Sequence, residues 1–182
     1  MAMYRRAIRD GYESLAVLNN LGAAYLMDGK DFEQAESCFA RAIEKAAASE
    51  TPSKASAMVA LYYNRALIEF RRAENQQRMC NELSKQEIQK AVSLAPDRCL
   101  LRLLAANVYG LHAAEGEVGR RLAVDYMQDA IRLGAPASLT NNSQLRKELV
   151  AAVRSRAGGA ALLAAPQQEL TEPLPNRLHV ID

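Results

Sequence analysis

The chain has 182 residues and a formal net charge of +2, from 23 basic and 21 acidic side chains. Hydrophobic residues reach 49% but aromatics only 5%, a balance that suits closely packed helices rather than a β-sandwich. A near-neutral charge with no basic cluster argues against nucleic acid as a partner. No apolar run reaches the roughly 18 residues of a membrane-spanning helix, so no membrane association is expected.

The first residues lack the apolar core of a secretory signal. Cys38, Cys80 and Cys99 are odd in number and far apart, no CxxC occurs, and the histidines are His112 and His179 alone. These spacings predict no metal site and no cofactor, and they suit buried, reduced thiols in a cytoplasmic chain.

In chain order, the opening residues Tyr4, Ala7, Ile8 and Gly11 already carry a helical stripe. A first pair of helices is expected from about Ser14 to Met27 and from about Phe32 to Ala48. Leu21, Gly22 and Tyr25 share a face of the first, and Ala35, Phe39, Ala42 and Ile43 a face of the second. Gly22 and Ala35 let two backbones approach, and Tyr25 and Phe39 fill the space beside them. Asp28-Gly29 ends the first helix, and Asp31 with Gln34 opens the second.

Thr51 as cap and Pro52 at the first helical position start a helix expected to run to about Ala73. Residues 74–81 read as a polar insertion. Ser84 and Glu87 form a capping box for the next helix, which stops at Ala95-Pro96. Asp97 to Ala114 is apolar around much of its circumference and should be the most buried element. A loop over 115–119 leads to a helix ending near Leu133, with Gly134 and Pro136 beyond it. Asn141-Asn142-Ser143 caps a last helix to about Arg156. Gly158-Gly159 breaks it, and a tail with Pro166, Pro173 and Pro175 follows.

Two domains are thus expected: a helical domain over 1–157 and an extended or disordered tail over 158–182. An Ala-Ile/Val step recurs at Ala7-Ile8, Ala42-Ile43, Ala91-Val92 and Ala130-Ile131, at separations of 35, 49 and 39 residues.

Leu21-Gly22, Tyr25, Gly29, Phe32, Ala35, Phe39 and Ala42 resemble the tetratricopeptide repeat (TPR), a helical hairpin of about 34 residues. One residue more than usual stands between Gly29 and Phe32. The hairpin over 52–94 is divergent, with Arg65 where Leu is usual and Glu69 near the aromatic position. Tyr4 to Ile8 then matches the second helix of a repeat, which reads as a fragment of a longer protein or, less simply, as a capping helix. The AIRLGAP turn and the Pro-rich tail also resemble repeat segments at the C-terminal ends of large bacterial proteins, Ser/Thr kinases among them. No kinase motif is present in the chain itself.

The resemblance implies an all-α, right-handed TPR-like superhelix of antiparallel hairpins. It should hold about three repeats, an N-terminal half-repeat and a C-terminal capping helix. It implies a scaffold that binds a protein or peptide on its concave groove, with no catalysis. Helical phase directs Asn19, Tyr63, Phe70, Arg71 and Asn107 to that groove as partner-binding residues. The alternative for the same positions is that Phe70 is core and the polar groups are only solvated. Asn20 and Asn64 loosely match the amides of repeats that grip chaperone tails, but the basic partners of that clamp are missing. The competing function is a structural spacer or a homo-oligomer paired through the N-terminal half-repeat.

Overall fold

Four of the helices begin where a side-chain oxygen takes a free N–H of the first turn. Ser14 accepts from Val17 N at 3.2 Å, Asp31 from Gln34 N at 3.0 Å, Asn81 from Ser84 N at 2.9 Å and Ser143 from Arg146 N at 3.3 Å. The computed structural model describes residues 1–29, 31–50, 53–111, 117–140 and 143–164. Within them lie α1 (Ala2–Arg9), α2 (Leu15–Asp28), α3 (Phe32–Ala47), α4 (Lys54–Asn75) and α5 (Glu82–Leu94). Then follow α6 (Cys99–Gly110), α7 (Glu117–Arg132), α8 (Ala137–Thr140), α9 (Gln144–Arg154) and α10 (Gly159–Ala164). The described residues contain no strand, so the protein is all-α.

Some expected boundaries hold and others shift, for identifiable reasons. Gly29 ends α2 at φ 69°, where its N–H bonds Tyr25 O, as its lack of a Cβ allows. The start of α5 moves upstream of the expected capping box. Asn81 caps it, Ser84 bonds back to Asn81 through its hydroxyl, and Glu87 turns inward to Arg65 instead. The short α8 follows directly on Pro136 and was not foreseen. Thr51, Pro52, Asn141, Asn142 and the residues 112–116 lie outside the described residues, as does 165–182 of the expected tail.

The packing is local in sequence. The closest pairs are α2 with α3, α4 with α5, and α6 with α7, each a hairpin. Successive hairpins meet through α3 and α4, α5 and α6, and α7 and α9. A second set of contacts links α2, α4, α6 and α9 in succession, while α1 lies on α2 and α10 on α7 and α9. Two apolar clusters fill the spaces between. One is centred on Leu18, Leu26 and Phe39, the other on Ile88, Leu101 and Met127, and Leu67 of α4 packs against both.

The first hairpin closes on Gly22. A Cβ built there would stand 2.8 Å from Phe39 Cε1 and 2.9 Å from its Cζ. The ring therefore occupies the space a side chain at position 22 would need, and α2 and α3 approach more closely than a larger residue there permits. Ala35 and Ala42, fully buried on α3, continue that seam.

The second hairpin uses charges where the first uses rings. Glu69 and Glu87 are both buried. Arg65 Nη1 holds Glu87 Oε1 at 2.8 Å across α4 and α5. Arg78, in the turn after α4, reaches both oxygens of Glu69 at 2.6 and 3.3 Å, and Asn81 N donates to the same carboxylate at 3.1 Å. Arg72 links Glu69 to Glu36 of α3, at 3.7 and 3.0 Å. The turn read from sequence as an aperiodic insertion is thus pinned by one carboxylate. Buried carboxylates persist only with such partners.

Residues 159–164, at the start of the expected tail, are helical instead of extended. Gly158 turns it at φ 76°, and Gly159 then sits against the Val153 carbonyl. A Cβ at Gly159 would fall 1.9 Å from Val153 O, a backbone atom that cannot yield. Gly159→Ala should therefore undock α10 alone. Hydrogen exchange at Leu162, whose N–H bonds Gly158 O, is expected to rise about tenfold or more, ~1.4 kcal/mol of local stability. Exchange in α2–α5 is expected to stay unchanged.

Candidate functional site

The helices that touch in succession, α2, α4, α6 and α9, make one continuous face. The five residues expected there are distributed along it at very different depths. Asn19 on α2 is fully buried. Its Oδ1 accepts from Asn64 Nδ2 at 3.1 Å, and its Nδ2 donates to Asn20 Oδ1 at 3.2 Å. Three amides thus run across the seam between α2 and α4. The far end of that row is unsatisfied, because Asn64 Oδ1 is buried with no hydrogen-bond partner. Arg102 Nε is the other buried side-chain atom without a partner among the described residues.

Asn107 on α6 is 3% exposed and serves a neighbour. Its Oδ1 accepts from Arg146 Nε of α9 at 3.1 Å, and Arg146 Nη1 also reaches Leu139 O at 2.6 Å. Asn19 and Asn107 are therefore held inside, as supports of the seams, and do not stand as open amides on the surface.

Tyr63 and Phe70 of α4 are half-buried against the larger cluster. Burial pushes the Tyr63 phenol above its ordinary pKa, while Arg146 and Arg71 pull it the other way. Burial in turn lowers the Arg146 guanidinium, with Tyr63 and Glu74 opposing. Arg71 is exposed, and its Nη1 reaches Leu26 O at 3.3 Å, a carbonyl in the last turn of α2. The face thus gathers a phenol between two arginines, beside the row of amides.

Arg146 was not among the residues expected on this face, and Asn64 entered only as a loose match to the amides of a chaperone-tail clamp. Arg146, Val150 and Val153 share one side of α9 at four- and three-residue spacing, so the stripe itself marks Arg146 as inward-facing. Asn64 precedes Leu67-Ile68 and Arg71 in the same way. Of the acids on α3, Glu33 and Glu44 are exposed, but Glu36 pairs with Arg72. Among the described residues no group of histidines, cysteines and acids could hold a metal, and no helix is long and apolar enough to cross a membrane. His112 and His179 lie outside the described residues. Compared with protein-family models, with curated proteins and with solved structures, this chain matches none of them.

Proposed function

We propose that the chain is a TPR-like protein-docking module, without catalysis of its own, and that it takes an extended peptide on the face of α2, α4, α6 and α9. The fold part rests on the Gly22–Phe39 approach and on the two interleaved sets of helix contacts, which are what a right-handed stack of hairpins requires. The functional part rests on one observation: Tyr63, half-buried, and Arg71, exposed, stand on α4 within electrostatic reach of each other, at the seam with α2 where Arg71 bonds Leu26 O. An extended peptide laid there would meet these two side chains without entering the amide row, whose Asn19 and Asn64 have no exposed surface. Tyr63 adds ring surface and Arg71 a charge for a carboxylate beside it.

Peptide display against the full chain tests this. Enrichment of extended sequences is expected, and Tyr63→Ala with Arg71→Glu should weaken their binding about tenfold or more, ~1.4 kcal/mol. Circular dichroism checks that the double variant still folds. Selected peptides that bind the double variant as well as the wild type would sink the reading.

A second reading is a spacer or self-associating element of a larger protein. It draws on Met3 and Tyr12, 82% and 73% exposed at α1 and the turn after it. A clean monomer by light scattering at high concentration would remove it.

A further inference from the structure

A cleft on the other side of α2 involves the N-terminal helix. It measures about 520 Å3 and opens between α1 and α3. Arg5, Ile8 and Arg9 form one wall, Arg41 stands on the other, and Leu21 and Tyr25 of α2 make the floor. No carboxylate lines it.

The three arginines differ in how they are held. Arg5 is pre-set, with its Nε 2.9 Å from Tyr25 Oη and its guanidinium 5.1 Å from the centre of the same ring. Stacking and that one bond fix the plane and leave the outer edge of the fork open. Arg41 pairs with Glu13, which Lys45 also approaches at 3.7 Å, so one acid serves two cations. Arg9 is exposed and makes no ion pair or hydrogen bond among the described residues. The nearest acid of its own helix end, Asp10, is taken by Arg6 at 3.6 Å. The cleft thus carries an uncompensated positive charge over an apolar floor.

We propose that this cleft docks an acidic segment of a partner protein in which carboxylates flank an apolar side chain. Planar guanidinium forks match carboxylates two bonds at a time, and Ile8 with the edge of Leu21 gives the intervening side chain a place to leave water. Nucleic acid fits less well, since its affinity comes from many phosphate contacts along a track, whereas here the positive charge is confined to one pocket.

The experiment is fluorescence anisotropy of the full chain with a short fluorescein-labelled peptide repeating Glu-Glu-Leu. Saturable binding is expected, weakened about tenfold by Arg9→Glu and unchanged by Arg120→Glu on the exposed side of α7. The Gln-Gln-Leu peptide should not bind. Tyr63→Ala with Arg71→Glu should leave this binding intact, which separates the cleft from the α2–α4–α6–α9 face. Three results would overturn the proposal: no saturable binding, equal loss in Arg9→Glu and Arg120→Glu, or full competition by a single-stranded oligonucleotide of the same charge. Because Arg9 is exposed and unpaired, its substitution should not disturb folding, and an unchanged circular dichroism spectrum verifies this.

Discussion

Phe39→Ala is expected to remove about 3–5 kcal/mol of stability, the range for deleting a fully buried aromatic side chain. The ring has no exposed surface and rests directly on the Gly22 backbone. Its loss therefore opens a void between α2 and α3 that neither backbone can close without tilting the hairpin. Gly22→Ala approaches the same contact from the other side. It should gain about 1 kcal/mol of helix propensity, but forcing a methyl into the ring should cost about 1–3 kcal/mol, so a net loss is expected. The decisive measurement is a double-mutant cycle in urea. In a Phe39→Leu background the methyl has more room, so Gly22→Ala should be milder there by at least ~0.5 kcal/mol. Strict additivity would mean that the two residues do not compete for one space.

Glu87 should make the protein less stable as pH rises. Burial pushes its carboxyl from 4.5 up to about 7, with Arg65 and Lys90 opposing and Glu36 adding to the rise. The native state then binds a proton that the unfolded chain has already released. Unfolding free energy must fall wherever the folded form holds more protons. The stabilisation is complete below the unfolded value and is lost as pH climbs through about 7, by up to ~3 kcal/mol for a shift of that size. Glu87→Gln keeps an acceptor for Arg65 but cannot ionise. Urea titrations of both proteins at about pH 5 and pH 8 should show a slope in the wild type and little in the variant. A Glu87→Gln protein with the wild-type slope would place the titrating group elsewhere.

The parts of the fold that could be read from sequence are those governed by short-range rules. Ser14, Asp31, Ser143 and Gly29 all sit where capping chemistry puts them, because each acts on backbone groups within one turn. The Gly22–Phe39 contact was also legible, since a missing side chain and a large one at matched positions on paired helices leave little freedom. The second hairpin was harder. Arg65 and Glu69 break the apolar pattern, and only the three-dimensional arrangement shows that Glu87 and Arg78 complete them. Partner choice between distant charges leaves no periodic trace. The same limit applies to the candidate face. Helical phase directs Tyr63, Phe70 and Arg71 of α4 towards it, but phase gives direction and not depth. It could not tell that Arg146 and Asn64 would draw Asn107 and Asn19 inside. The helix at 159–164 escaped notice because its anchor is a steric fit between Gly159 and one carbonyl, and paired glycines otherwise mark a break.

The three cysteines are buried and none is in a disulfide. Cys38 lies on α3, Cys80 in the turn before α5, and Cys99 at the first position of α6. Burial raises the Cys38 thiol and lifts Cys80 to about 12, so these two resist alkylation while their surroundings stay closed. Each hairpin thus carries its own chemical clock. Timing reagent uptake at the three sulfurs would read when each unit breathes, with no label introduced and no residue replaced.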